Sequence, residues 1–416
     1  MSKLQELIDR LCPGGVPFKP FSDFISLETG DQFNKRDMNE KGTYPVLNGG
    51  INPSGYIESF NNEADTITIS QGGASAGYVN WMATKFWAGA HCYVVSILNE
   101  RILKRYVYFL LKNLESKLMN AKHGAGIPAL NRNEIYKIEI PVPPIEIQEE
   151  IVKILDRFAD YAAELQAELQ ARKEQYEYYR NLLLTFNPSA CGCGTDGAQE
   201  IGLTPWGGHS YEVILKTMGE IGTFFGGLTG KSKSDFTNGN ARFISYMNVY
   251  TNLSINQNME EFVHIGEAEK QNVLEYGDAL FTGSSETPEE CGMSSVVTEE
   301  PKEPLYLNSF CFGFRLNDKN LFAPDFLKHL LRSKAIRTQI TKTANGVTRF
   351  NVSKKLFAKI ILPIPPIELQ EKIAAILDRF EALVNDLTQG LPAEIAAVKE
   401  QYEYYRNKLL TFKKLA

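Results

Sequence analysis

Histidine and cysteine are scarce in this chain, and it has no long apolar run. Five histidines (His91, His123, His209, His264 and His329) are spread over 416 residues. They form no HxxxH pair and no evident nucleophile–histidine–acid triad, which excludes the simplest zinc-hydrolase and triad chemistries. Six cysteines (Cys12, Cys92, Cys191, Cys193, Cys291 and Cys311) are few for this length and are expected to be free thiols in a reducing compartment. Cys191 and Cys193 make a CxC in a glycine-rich stretch, but no second Cys or His pair completes a four-ligand zinc site, so no metal is expected. No 18-residue apolar stretch is present, so no membrane span is expected. The segment MSKLQELIDRLCPGG lacks the apolar core of a secretion signal, and a cytoplasmic location is expected.

Catalytic motifs are equally sparse. GGLTGKS (226–232) resembles a phosphate-binding loop, but the first glycine would have to stand where Phe225 is. GGASAG (72–77) lacks the GxGxxG spacing. Asn187-Pro188-Ser189 lacks the aromatic of an NPPY-type methyltransferase motif, and Pro324-Asp325 has no acid–lysine cluster near it for a metal nuclease.

What the chain does contain is a repeat. PVPPIEIQEEIVKILDRF (141–158) returns as PIPPIELQEKIAAILDRF (363–380), and KEQYEYYRNLLLTF (173–186) returns as KEQYEYYRNKLLTF (399–412). In the first copy Ile151, Leu155, Phe158, Leu165, Leu169, Tyr176, Tyr179 and Leu183 recur at steps near three and four, which predicts one amphipathic helix from about residue 145 to 186. Pro141, Pro143 and Pro144 set its start. The second copy has a matching stripe, with Ile373, Phe380, Leu387, Tyr402, Tyr405 and Leu409, and a kink or break is expected at Gly390-Leu391-Pro392. Stripes this long exceed what one small domain covers, so the two helices are expected to pack antiparallel on each other.

The segments between the helices are expected to be mixed α/β. TITISQGG (66–73), CYVVSI (92–97), ARFISYMNV (241–249), ALFTG (279–283) and CFGFRL (311–316) read as strands; RYVYFLLKN (105–113) and FLKHLLRS (326–333) read as helices. The halves pair faintly: Cys92-Tyr93 with Cys311-Phe312, YFLLK with KHLLR, and GIPALN (126–131) with GVTRFN (346–351). The net charge is −6, yet residues 326–367 hold nine bases and no acid, and residues 101–137 hold eight bases and two acids. Local basic patches of this kind attract phosphates whatever the net charge. Residues 260–303, with twelve acids and two bases, have the opposite balance.

The two repeat blocks resemble the conserved regions of the specificity (S) subunit of type I restriction–modification systems. LCPGGVPFKPFSDFI and YPVLNGGINPSGYI are similar to the family's first recognition domain. The resemblance covers the whole chain in order. It implies an α+β protein with two similar globular target-recognition domains separated by two long antiparallel helices in a pseudo-twofold, coiled-coil-like pair. The expected boundaries are 1–140 and 206–362 for the domains, 141–186 and 363–416 for the helices, and 187–205 for a linker. The implied function is DNA sequence specificity in host defence, each domain reading one half of a bipartite asymmetric site on double-stranded DNA. The implied partners are two modification (M) subunits, which bind S-adenosylmethionine and methylate adenine, and restriction (R) subunits, which use ATP and Mg. No cofactor and no catalytic residue is expected in this chain. The alternatives are a stand-alone DNA-cleaving enzyme and a coiled-coil assembly protein with no nucleic-acid role.

Contact residues are not transferred by the resemblance, because recognition loops are where such proteins differ. The chain itself offers Lys122, His123, Asn131 and Arg132 in the first half, and Lys231, Lys233, Lys342, Thr348, Arg349, Asn351 and Lys354 in the second. Arg and Lys can read guanine edges and Asn adenine edges, and any of them can simply hold phosphate. AELQAELQ (163–170) matches the family's tandem unit in the helix that sets the gap between half-sites. One unit adds about 6 Å of helix, against about 3.4 Å per base-pair step. Deleting Ala167–Gln170 is therefore predicted to shorten the methylated site's gap by one to two base pairs (an estimate from those two rises); sequencing of methylated sites that shows an unchanged gap would refute this.

Overall fold

The computed structural model describes residues 3–33, 36, 38–39, 42–123, 128–186, 198–201, 211–385 and 390–415. Cys191, Cys193, His209, Leu387 and most of the expected 187–205 linker lie outside the described residues. The chain divides into two compact units, one of residues 1–166 with 394–416 and one of residues 167–393. Their boundary in the chain falls inside AELQAELQ, so a single helix, Ile145–Leu183, contributes its first half to one unit and its second half to the other. At 39 residues it is about 58 Å long.

In the first unit a four-stranded antiparallel sheet has the order Ile25–Thr29, Cys92–Ile97, Thr66–Ser70, Val79–Met82. A three-stranded sheet beside it pairs Tyr44–Leu47 antiparallel with Gly55–Ile57 and parallel with Trp87–Ala88. The second unit repeats both sheets. Its four strands run Gly222–Gly226, Cys311–Leu316, Ala279–Thr282, Ser294–Val296. Its smaller sheet pairs Ala241–Ile244 antiparallel with Phe262–Val263 and parallel with Leu305–Leu307. Gly30–Asn80 and Gly227–Val297 have no visible sequence likeness, yet they supply corresponding strands. The central strands Thr66–Ser70, Ala279–Thr282 and Cys311–Leu316 are buried along nearly their whole length, which constrains only polarity and size, so the pairing order survives replacement of nearly every residue.

One expected strand is corrected. ARFISYMNV is a strand only through Ile244; Tyr246–Thr251 is helical. Ser245 caps that turn, its Oγ accepting from the Asn248 amide at 3.4 Å. The apolar run hid a capping serine in its middle. The second repeat copy forms two helices, Ile367–Asn385 and Leu391–Leu409, with Gly390-Leu391-Pro392 at the start of the latter.

Each unit seats a core helix of its globular part on the repeat through a buried glutamine. In the first unit Gln148 is fully buried; its Oε1 accepts from the Leu103 amide at 2.9 Å, and its Nε2 donates to the Arg101 carbonyl at 2.9 Å and the Pro143 carbonyl at 2.8 Å. Leu103 is the residue that opens helix Lys104–Asn113 and has no side-chain cap of its own. In the second unit the repeat-equivalent Gln370 accepts from the Ala323 amide at 2.9 Å and donates to the Leu321 carbonyl at 3.1 Å and the Pro365 carbonyl at 2.7 Å. Ala323 opens helix Pro324–Arg332, again without a side-chain cap. One amide thus satisfies backbone groups that burial would otherwise leave unpaired.

A second matched contact lies eight residues on. Asp156 accepts from Arg105 Nε at 2.8 Å, and Arg105 also lies over the Trp81 ring at 4.3 Å. Its equivalent Asp378 is gripped by His329 Nε2 at 2.7 Å and Lys328 Nζ at 2.8 Å. Burial pushes the Asp378 carboxyl up, but the bonds from His329 and Lys328 outweigh it and hold the group below the usual carboxylate range.

The helix stripes serve two neighbours rather than one. Ile151 and Leu155 are buried in one cluster with Tyr106, Phe109 and Leu110 of helix Lys104–Asn113, and with Leu410. Tyr402 and Leu409 pack against that cluster, while Leu165 of the same helix half is buried. Ile373, Tyr176 and Leu183 share the second unit's core with Leu327 and Leu330, and Leu169 packs on its edge. Direct helix-to-helix contact is made by aromatic stacks. Phe158 stacks on Tyr405 with centroids 5.5 Å apart, and Tyr161 donates to Glu394 at 2.7 Å. The second unit stacks Phe380 on Tyr179 at 5.5 Å, and these two residues are the repeat-equivalents of Phe158 and Tyr405. In the first unit the two helix halves therefore run antiparallel, residues 158 and 161 meeting 405 and 394 in reverse order.

Replacing Gln370 with Ala leaves a buried amide and two carbonyls without partners. The expected cost is at least about 3 kcal/mol, since three groups are orphaned at roughly 1–3 kcal/mol each and two of them are only partly buried. Denaturant unfolding of Gln148→Ala should show a similar loss; a change within measurement error in either variant would contradict the glutamine's structural role.

Candidate nucleic-acid interface

In the second unit the candidate residues converge on a hairpin. Ala344–Asn345 and Phe350–Val352 pair antiparallel, and the latter also pairs with Ser284–Ser285. The turn between them is built on Gly346, whose φ is 150° and where a Cβ would lie 2.1 Å from the Arg349 carbonyl oxygen, so only glycine fits. Val347 is 91% exposed at the tip, with Thr348 and Arg349 exposed beside it. The Arg349 guanidinium donates from Nε and Nη2 to the buried Ser284 Oγ at 3.1 and 2.9 Å, and lies 5.9 Å from the Phe310 ring centre. Asn351 is exposed on the hairpin strand, while Lys342 and Lys354 are exposed on either side of the hairpin in the chain. Lys354 Nζ lies 5.4 Å from the Phe312 ring centre.

Beside the hairpin is an open cleft of about 540 Å³. It brings Thr348 and Arg349 together with Tyr250, Glu290 and Phe310, which sequence reasoning missed. Phe310 is 60% exposed and stands on a turn in which Asn308 Oδ1 accepts the Phe310 amide at 2.9 Å. The Asn-Ser-Phe sequence was a usable turn signal. Hydrogen bonds from Tyr250, Thr287 and Ser285 lower the Glu290 pKa, keeping it ionised near neutral pH.

Several of the basic residues are consumed internally. Lys231 is a correction to the candidate set: its side chain is 7% exposed, donating at 2.5 Å to both the Glu269 carboxylate and the His264 carbonyl. Those bonds, with ones from Gln271 and the Gly266 amide, hold Glu269 down at about 2. Lys233 stays exposed. Arg332 donates to the carbonyls of Ser294, Val249 and Tyr250, and Arg337 to those of Gly292, Glu289 and Cys291. Burial lowers both arginines to about 10. Part of the acidic 260–303 segment is likewise paired within the unit, Glu275 and Asp278 with Arg315 and Glu303 with Arg242. His329, Asp378 and Glu381 lie close enough to share a cation, but Lys328 Nζ already sits against Asp378 and 4.0 Å from Glu381.

The first unit brings the corresponding segments together through bridges His123–Ala129 and Gly72–Ala129, with residues 124–127 between them outside the described set. His123 is exposed, and Lys122 Nζ donates to the Ala74 carbonyl at 3.0 Å. Asn131 caps helix Arg132–Tyr136 by accepting from the Asn133 amide at 2.9 Å. Arg132 lies 5.6 Å from the Tyr93 ring centre.

Residues 13–174 and 212–397 each match the type I restriction modification DNA specificity domain. The chain belongs to this family. The two matches fall on the two units' recognition segments and reach into the repeat helices, giving a specificity subunit with two target-recognition domains. It is similar to the type I restriction enzyme EcoR124I/EcoR124II specificity subunit of Escherichia coli, with 29% identity covering 100% of this chain and 98% of that one. A type I restriction–modification S subunit from M. genitalium has a similar fold, with a TM-score of 0.55, 17% identity, and 95% of this chain and 96% of that one covered. No helix among the described residues is long and apolar enough to cross a membrane.

The geometry separates two neighbouring lysines of this specificity subunit. Lys233→Ala is expected to reduce the salt dependence of DNA binding by about one unit of log–log slope. Lys231→Met should leave that slope unchanged and lower the thermal unfolding temperature, because Glu269 and the His264 carbonyl lose their charged donor. The opposite pattern in salt titrations and melting curves would contradict the assignment.

Proposed function

We propose that this chain directs an adenine-methylating and DNA-cleaving complex to a bipartite sequence, each unit reading one half-site. The observation that carries this is two units with the same sheet order and the same seating on the repeat, but with different residues in the matched segments GIPALN (126–131) and GVTRFN (346–351). A shared frame with divergent tips suits two different words read at a fixed spacing. The exposed bases Lys233, Lys342 and Lys354, and Arg132 in the first unit, suit phosphate positioning.

The repeat carries a feature that internal packing does not require. Tyr178 and its equivalent Tyr404 are 63% and 59% exposed, each edge-on to the next tyrosine. An exposed aromatic kept in both copies suits a partner that docks twice, and the methyltransferase subunit is that partner. S-adenosylmethionine then belongs to the methyltransferase subunits, and ATP and Mg to the restriction subunits; this chain is non-catalytic.

Co-expression with the methyltransferase subunit tests the proposal. The expected result is a purified complex with two such subunits per chain and genomic adenine methylation at one asymmetric, gapped motif. Tyr178→Ala with Tyr404→Ala should release the partner. Methylation at an ungapped motif, or at none, would overturn the reading of two half-sites; undiminished partner binding by the double variant would remove the tyrosines from the docking surface.

A further inference from the structure

We propose that Arg349 reads a guanine, in the major groove, within the half-site recognised by the second unit. This rests on the reading of the chain as a DNA specificity subunit and adds a base identity to one side chain.

A narrow hairpin end can enter the major groove, and residues 346–349 are the exposed tip of a hairpin whose second strand is also paired with Ser284–Ser285. Arginine reads guanine through two donors aimed at O6 and N7. The Nε side of Arg349 is occupied by Ser284 Oγ, and Ser284 is itself fixed by strand pairing with Asn351. Among the described residues no hydrogen bond uses Arg349 Nη1, so the end of the guanidinium, Nη1 with the second hydrogen of Nη2, is left to face a ligand. Holding one edge and presenting the other removes rotamer freedom before binding, which favours a directional contact over a loose ionic one.

The surroundings distinguish a base from a phosphate. Glu290, ionised, and Glu286 line the same cleft as Arg349. Two carboxylates repel the full charge of a phosphate more strongly than the partial charges of a base edge, and can accept from a neighbouring cytosine amine. Val347 at the tip and Phe310 across the cleft supply apolar surface of the kind that meets a thymine methyl or the face of a base. Lys342 and Lys354, exposed on the flanks, are placed for the backbone instead.

The test uses the full chain assembled with its methyltransferase subunits on a randomised DNA library, with methylated products sequenced. The unsubstituted chain should require guanine at a position that Arg349→Ala relaxes, with discrimination there falling roughly 5- to 150-fold while every other position of both half-sites holds. Arg349→Gln should move that position toward adenine. An unchanged motif in both variants overturns the proposal. So does a uniform loss at all positions with a shallower salt dependence, the mark of a phosphate contact. Complete loss of methylation by an intact complex also counts against it, since one missing base contact relaxes a site rather than abolishing it. An unsubstituted chain that directs no gapped methylation overturns the proposed function as well. That result is distinct from failure of the arginine assignment alone, in which the unsubstituted site is present.

Discussion

A buried primary amide holds each unit together at its most exacting joint. A helix that starts against another helix leaves amide groups pointing into apolar surroundings, where each unpaired one costs about 1–3 kcal/mol. Leu103 and Ala323 open their helices without a capping side chain. Gln148 and Gln370 supply the missing acceptor from the repeat, and their own amide hydrogens are taken by two carbonyls each. No other uncharged side chain offers one acceptor and two donors at that reach. Glutamate would lack the donors, and leucine would strand both backbones.

This explains why the connectors are alike and the domains are not. The glutamine touches only backbone on the recognition side, so the domain's sequence is free wherever that backbone geometry is kept. The aspartate eight residues later follows a looser rule. The repeat fixes the acceptor and the domain chooses the donor: Arg105 in one unit, His329 with Lys328 in the other. The phenylalanine–tyrosine stacks complete the frame, since each joins the early block of one copy to the late block of the other. Neither copy alone can make these stacks, which is why both blocks of both copies are needed.

The repeat, its helical period and the proline start at 141–144 were legible because they rest on local rules. The helix at 105–113 and the strands at 92–97 and 311–316 were equally clear, being short runs with strong periodicity. The matched sheet order of the two units was not legible, because strand pairing across some 40 residues leaves no trace once the side chains have diverged. The helix at Tyr246–Thr251 was hidden by an apolar run that only its serine cap interrupts. Among the candidate contacts, the exposure of Arg349 and Thr348 beside one cleft follows from the glycine-led loop that carries them. The pairing of Lys231 was not legible because its partner, Glu269, lies 38 residues away, and sequence alone cannot show which lysines are already paired. Tyr250, Glu290 and Phe310 were missed because the cleft is assembled from four separate segments.

The central claim is that two unlike recognition domains are locked to one frame by the same amide. Hydrogen exchange of the Leu103 and Ala323 amides tests it directly, since both donate to a fully buried glutamine oxygen. The account predicts that both exchange in the slowest class of their own unit, and that each is released to loop-like exchange by substitution of its own glutamine and not of the other. Fast exchange of either amide in the unsubstituted chain would contradict it.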